Sequence, residues 1–355
     1  MCRSPFHSFL QQLPKCEHHM HLEGALTPAV LFTLAKRNNI KLPQDDPAFK
    51  SSETLLARYD RFTSLDDFLH YYYIGMSVLV EPSDFEDLAM DYFRHAAADG
   101  VAHAEVFFDP QAHISRGISY ATVLSGFNAA RARAQAEFDI SSELICCFLR
   151  HLPVLECVAT FKDPAVQESF KNGAVTGIGL DSSEKPFPPE LFQEIYRGAA
   201  ELGVRRTAHA GEEGSAEYIA NALDVLRVER IDHGIRLAED EALLQRVAKE
   251  GIMLSVCPLS NVLLRCVKSV SEVPIRKFLD SGIKFSINSD DPAYFGGYVL
   301  DNYCAVHEAF ELSVAEWTGI CRAGIEGSWC SRSRKDELLS RLADVVKFWE
   351  PKLKS

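Results

Sequence analysis

A chain of 355 residues has room for two ordinary domains, or for one α/β barrel of about 250 residues enlarged by insertions. Apolar residues make up 47% and charged residues 25%, which gives ample material for a core. The formal charge of −13 excludes the clustered lysines and arginines that hold nucleic acid or anionic membranes, so a neutral or cationic small substrate fits better. The ten cysteines form no Cys-x-x-Cys, and the adjacent Cys146 and Cys147 face opposite ways within an apolar run. Cysteines used this way are small buried hydrophobes of a reducing compartment. The start, Met1 to His7, lacks the apolar core of a signal peptide, and no run approaches the roughly 18 apolar residues of a membrane span. A soluble, intracellular protein is expected.

The first strand is expected in Pro14 to Gly24, running into a loop. Thr27-Pro28 then starts a helix reaching Asn38, with Thr as N-cap and Pro at the first helical position. Residues 40 to 62 read as polar and irregular. Ser64 caps a helix over Leu65 to Val80, rich in Phe68, Tyr71, Tyr72 and Tyr73, and Ser83 with Glu86 reads as a capping box for another that stops near Gly100. From the second strand, Ala102 to Phe108, the alternation becomes regular. Strands are expected at 144–149, 175–180, 204–209, 230–233, 252–256 and 284–289, separated by helical stretches at 119–138, 153–170, 189–202, 215–226, 239–250 and 274–281. Two or three helices close the chain.

Eight strands alternating with helices are the pattern of an α/β fold of the (β/α)8 TIM-barrel type, here with a helical insertion after strand 1 and extra C-terminal helices. A doubly wound open sheet is the alternative, but no Gly-x-Gly-x-x-Gly follows any strand. Residues 1–355 are read as a single barrel domain.

A barrel enzyme builds its site at the C-terminal ends of its strands. His19 and His21 stand there after strand 1, on one face because a strand alternates with period two. His209 follows in strand 5, His233 in strand 6, and Asp290-Asp291 after strand 8. Imidazoles buried together are costly without a partner, and a divalent metal satisfies them. His19, His21, His209 and Asp290 make a donor set that suits Zn²⁺ with one position left open for water, whose ionisation the metal promotes. Glu212, three residues after His209, is placed as proton donor or acceptor, whereas Glu213 reads as an acid favoured near a helix N-terminus. His233 is a fifth ligand or a base beside the water, and the second role is preferred. Asp291 diverges from Asp290 and faces the substrate, and His18 points away from His19 and His21.

Five blocks carry a resemblance: Pro14-Lys15-Cys16-Glu17 to Gly24, Thr207 to Glu213, Ile231-Asp232-His233-Gly234, Cys257-Pro258-Leu259-Ser260-Asn261, and Asn288-Ser289-Asp290-Asp291-Pro292. In this order the chain resembles the adenosine and adenine deaminase family of metal-dependent barrel hydrolases. The resemblance implies that His19, His21, His209 and Asp290 bind one zinc ion per chain, that Glu212 protonates a purine ring at N1, that His233 assists the water, and that Asp291 contacts N7. Gly179-Leu180-Asp181-Ser182-Ser183-Glu184 looks like the adenine branch, since adenosine deaminases tend to carry Ala-Gly-Asp-Glu across Asp181 to Glu184. Phe107 to Gln111 and Asp291 to Tyr298 look like fungal members of that branch. The doubled His18-His19 departs from the Leu-His common elsewhere in the family but is similar to fungal members, and leaves His18 without an assigned role.

The activity implied is hydrolytic deamination of adenine to hypoxanthine and ammonia in purine salvage, with a small purine base as partner, neither nucleic acid nor membrane, and the cytoplasm as the compartment, the nucleus second. Adenosine deamination is the nearest rival. A non-catalytic zinc-stabilised interaction protein would not need Glu212, His233 and Asp291, and a two-metal cyclic-amide hydrolase would want a bridging Lys that strands 3 and 4 lack. His103-Ala104-Glu105 superficially fits a base-flipping deaminase, but no Pro-Cys-x-x-Cys accompanies it. The helix Leu65 to Val80 is a candidate lid. Oligomeric state has no signal in the sequence.

Overall fold

The computed structural model describes residues 6–353. Met1 to Pro5, including Cys2, lie outside the described residues, so the reading of a missing signal-peptide core is not addressed there. Eight parallel strands, β1 (Lys15–Glu17), β2 (Val101–Phe108), β3 (Ser141–Leu149), β4 (Gly177–Asp181), β5 (Arg205–Ala210), β6 (Arg230–His233), β7 (Met253–Val256) and β8 (Lys284–Ile287), pair in sequence order. The ring closes where β1 meets β8, through the bridge of Met20 with Asp290 and the hydrogen bonds His21 N to Asp290 O (2.9 Å) and Asp290 N to His19 O (3.1 Å). This is the (β/α)8 barrel expected from the alternation. Among the described residues no helix is long and apolar enough to cross a membrane.

Helix α1 (His7–Gln12) precedes the barrel, and the insertion between β1 and β2 holds α2 (Pro28–Arg37), α3 (Ser52–Tyr59), α4 (Leu65–Met76) and α5 (Pro82–Ala98). Thr27 caps α2 and Ser64 caps α4 as their sequences dictate. Three local expectations need correction. Residues 40 to 62 are not irregular throughout, because Ser51 and Thr54 form a reciprocal capping box that starts α3. The box that opens α5 is Glu81 with Asp84, two residues before the Ser83–Glu86 pair. The stretch 153–170 divides into Val154–Lys162 and Pro164–Lys171, since proline cannot donate to the preceding turn and Asp163 caps the second helix instead. Beyond β8, the helices Pro292–Phe295, Val299–Phe310, Val314–Gly327 and Arg332–Leu353 complete the chain.

Cys146 packs into the main core outside the barrel wall, and Cys147 packs with Phe107 and Ile145 inside it, against Trp329. Opposite faces are what period two predicts for neighbours in β3. His18 turns from the mouth and lies between Ser286 Oγ (3.0 Å) and Ser328 Oγ (2.8 Å), so its role is to pair buried hydroxyls.

Lys15 is fully buried and serves as an anchor for the barrel's lower rim. Its Nζ donates to the carbonyls of Leu10, Leu13 (3.2 Å) and Asp99 (2.6 Å), tying the ends of α1 and α5 to β1. Burial pushes its pKa from 10.5 down to about 8. Lys15→Met keeps the apolar stem but leaves the carbonyls unpaired, and is expected to cost roughly 2–4 kcal/mol in a denaturant titration. Between about pH 8 and 10.5 the unfolded chain binds the extra proton, so this lysine makes stability rise with pH across that window. The difference between wild type and Lys15→Met is therefore expected to grow over the same range, and a flat difference would refute the assignment.

Candidate active site and metal centre

The chain stays extended past β1, since Met20 bridges Asp290 and His21 bridges Phe107. Both His19 and His21 therefore enter the mouth. His19 Nε2 lies 3.1 Å from Asp290 Oδ1, and His21 Nε2 lies 3.5 Å from the same oxygen. His209, one residue before the end of β5, brings its Nε2 to 3.3 Å from His21 Nε2. His233 Nε2 is 3.8 Å from Asp290 Oδ2. One ligand atom each of His19, His209, His233 and Asp290 falls within 4.8 Å of the others, and His21 groups in the same way with Asp290 and Asp291. All seven residues singled out in the sequence are thus gathered in one mouth, with His233 as near the centre as the histidines expected to ligate.

The donor set fits a cation. His19 Nε2 is buried and has no hydrogen-bond partner among the described residues. His21 and His233 are pushed down to about 3, in both cases chiefly by burial, and His209 is held well below its ordinary value by burial and then by the neighbouring histidines. Neutral imidazoles present lone pairs, and lone pairs aimed at one point beside a carboxylate are the arrangement a divalent metal satisfies. Asp290 is held well below the usual carboxylate range although burial opposes it, by His19, His233 and His21.

A second layer fixes the ring orientations. His19 Nδ1 meets Ser255 Oγ at 3.0 Å, and Ser255 donates to Asp232 Oδ1 at 2.8 Å. Asp232 Oδ2 accepts from Thr207 Oγ1 (2.7 Å) and lies 3.8 Å from His209 Nδ1. Glu17, at the end of β1, accepts from Ser289 N (3.0 Å) and Oγ (2.6 Å), which sets the residue before Asp290. His233 and Asp290 both adopt φ above +60°, a conformation that non-glycine residues hold only when their surroundings impose it.

Glu212 Oε2 lies 3.6 Å from His233 Nε2. Burial, followed by the charges of Asp290 and Glu184, raises its pKa well above the usual range, the direction that suits a proton donor. Its loop is held by Glu184, whose carboxylate accepts from the amides of Glu212 and Glu213 (3.2 Å each) and of Gly214. Asp291 is buried, is raised well above its ordinary value by burial and then by Asp290, and touches the turn after His21. A Cβ at Gly24 would stand 2.1 Å from Asp291 Oδ1, so that turn admits only glycine.

Sequence reasoning missed three further carboxyls. Asp109 directly follows β2 and Asp181 ends β4, positions that the same strand-end rule covers. Both line the mouth cavity that also holds His21, Glu212 and Asp291. Glu23 lies behind them and accepts from Asp109 N (3.1 Å) while pairing with His113 Nε2 (2.9 Å). Burial, then the charge of Glu23, pushes Asp109 up to about 7, and burial pushes Glu23 up to about 7. The roof is Leu65, Phe68, Leu69, Tyr72 and Tyr73 of α4, the helix expected as a lid.

Such a mouth, with buried histidines and aspartates over a parallel barrel, defines a metal-dependent hydrolase of the amidohydrolase kind. The chain belongs to the adenosine deaminase family, whose model matches residues 14–345. Along its length it is 58% identical to the adenine deaminase of Schizosaccharomyces pombe, covering 98% of this chain and 95% of that one. It is 59% identical to the adenine deaminase of Aspergillus fumigatus, covering 98% of each. Among solved structures it is similar to an adenine deaminase from Arthrobacter aurescens, with a TM-score of 0.89, 44% identity, and 94% of this chain and 99% of that one covered. It is also similar to an amidohydrolase from Burkholderia ambifaria with bound Zn, with a TM-score of 0.87, 28% identity, and 99% and 97% covered.

If Asp232 holds the ring of His19 through Ser255 and places its charge 3.8 Å from His209 Nδ1, Asp232→Ala is expected to weaken metal retention by about 10–100-fold in a chelator competition. An unchanged affinity would show that the second layer is mere packing.

Proposed function

We propose that this chain catalyses the hydrolytic deamination of adenine to hypoxanthine and ammonia. The observation that carries the reading is the juxtaposition of the buried Glu212, His233 and the His19–His21–His209–Asp290 cluster, in a chain whose full-length relatives are adenine deaminases. The whole of residues 1–355 serves that one site as a single domain. Buried free thiols suit a reducing compartment, the cytoplasm first and the nucleus second.

His19, His21, His209 and Asp290 would hold one Zn²⁺ per chain, which lowers the pKa of water towards neutrality. Glu212 gives its proton to N1 of the ring, drawing electrons from C6. His233, neutral because it is buried, accepts the proton that the attacking water loses, and water oxygen adds at C6. The amino nitrogen takes that proton from His233 and leaves as ammonia, while the new C6 hydroxyl gives its proton to Glu212, which yields hypoxanthine and returns both side chains to their starting states. Asp291, protonated in its buried setting, donates to N7 and fixes the ring across from Glu212. The apolar roof of α4 keeps bulk water from the reacting carbon.

The ultraviolet change on mixing the metal-replete protein with adenine tests the reading, because loss of the 6-amino group alters the purine chromophore. Glu212→Gln is expected to lower turnover by about 10²–10⁴-fold with the metal retained. Near-normal turnover by that variant would remove Glu212 from its role. Chelation is expected to abolish activity and added Zn²⁺ to restore it, whereas activity that survives full metal removal would overturn the metal mechanism.

A further inference from the structure

The reading above uses N1, C6 and N7 of the ring and leaves the opposite edge, N3 and N9, without a partner. Glu212 and Asp291 flank the metal cluster, so a ring held by them at N1 and N7 presents that edge to the remaining polar wall of the cavity. That wall holds Asp109, Asp181 and Ser182. Tyr72 OH donates to Asp109 Oδ2 (3.4 Å), and Tyr73 OH donates to Ser182 Oγ (3.3 Å). Asp181 Oδ2 lies 3.6 Å from His21 Nδ1. What is left over is an oxygen on each aspartate. Asp109 Oδ1 and Asp181 Oδ1 are buried, in residues only 1% and 2% exposed, and the two side chains are hydrogen-bonded to each other, which needs a proton between them.

A buried acid pair that shares one proton keeps acceptor lone pairs on its remaining oxygens, and facing one cavity these suit a ligand that brings an N–H. A free purine base with N7 as acceptor carries one ring N–H, at N9. In a nucleoside that nitrogen carries the sugar instead, so it has no proton to give, and the ribose must find room beneath Tyr72 and Tyr73. We propose that Asp181, seconded by Asp109, is the specificity determinant of this site: it accepts the N9–H of adenine and so selects the free base over N9-substituted purines. The inference rests on the adenine reading.

Around the pair the structure is built to hold it still. Asp181 is the last residue of β4, and Ser182, in a left-handed conformation, is pinned by Tyr73 and by His151 Nδ1 (2.7 Å). Ser183 donates to Asp66 of α4 at 2.6 Å. Asp109 is fixed by the bond from its amide to Glu23 and by Tyr72. A site whose buried acceptors are positioned this firmly rejects a ligand that lacks the donor far more strongly than one that differs only in apolar bulk.

The test compares adenine with 9-methyladenine on the metal-loaded enzyme, wild type and Asp181→Leu, a substitution that keeps the branched shape and removes the acceptor. Wild type is expected to favour adenine by at least about 10³-fold in kcat/KM. Asp181→Leu is expected to lose about 100-fold on adenine while changing threefold or less on 9-methyladenine. An equal fall on both substrates would reduce Asp181 to a structural role and overturn the proposal. Loss of bound metal in the variant would overturn it as well, since the carboxyl would then belong to a cation site with His21. Should Asp181→Leu not fold, Asp181→Ala and Asp109→Leu are read in the same way, with the ratio of the two substrates as the measure. Wild-type turnover of adenine is scored separately, so a protein inactive on adenine refutes the function, and an active one with an unchanged ratio refutes only the selection.

Discussion

Desolvation of charge is the constraint on which this molecule depends. Four imidazoles and the carboxyls of Asp290, Asp291, Glu212, Asp181, Asp109 and Glu23 are all buried around one barrel mouth. Groups of that kind do not share a dry space by themselves, because each charge lost from water costs several kcal/mol. The mouth resolves this by dividing its carboxyls. Asp290 alone is drawn far into the ionised state by the histidines, while Glu212, Asp291 and Asp181 are pushed towards their protonated forms. A divalent cation at the histidines completes the balance. The division also sorts the groups by task, with acceptors of metal on one side and donors of protons or hydrogen bonds on the other.

Holding this arrangement takes a supporting layer that has nothing to do with the reaction. Glu17 fixes the β8 end, Asp232 and Ser255 orient the histidine rings, and Gly24 allows the β1 turn to press on Asp291. His233 and Asp290 sit in left-handed backbone that a free chain would avoid. That strain is sustained by the β1–β8 closure, whose bonds between His19, His21 and Asp290 are made by the same residues whose side chains face the cluster. Barrel closure and site assembly are one event.

The barrel was legible in the sequence because its signal is repetitive: from β2 onward, strand-length segments recur with a helical pattern between each and the next. The cluster was legible because histidine at a strand end is conspicuous and because period two put His19 and His21 on one side. Asp109 and Asp181 stood at equally informative positions, yet an aspartate followed by proline or serine also reads as an ordinary helix cap or turn, and only burial separates the two meanings. The capping box of α3 was hidden by the polar run around it, and the Glu81–Asp84 box by a more conventional Ser-x-x-Glu two residues on. Asp232 and Glu184 act through other residues, and nothing local in sequence marks such a partner.

Glu184 gives the loop after β4 a double character. Its side chain grips the amides of Glu212, Glu213 and Gly214, and three residues earlier the same loop presents Asp181 to the cavity. Ser182 and Ser183 bind the loop to α4 through Tyr73 and Asp66, and α4 supplies the roof. The group that donates the proton, the group that faces the far edge of the ring, and the helix that covers both are therefore one hydrogen-bonded unit. A displacement of the roof by a substrate too large for the cavity would pull on Ser182 and, through Glu184, on the backbone that carries Glu212. Fit at the far edge of the purine and alignment of the acid at N1 are coupled through the four residues from Asp181 to Glu184 and the bonds Glu184 accepts from the Glu212 loop, so a ligand that fits badly at one end is also protonated badly at the other.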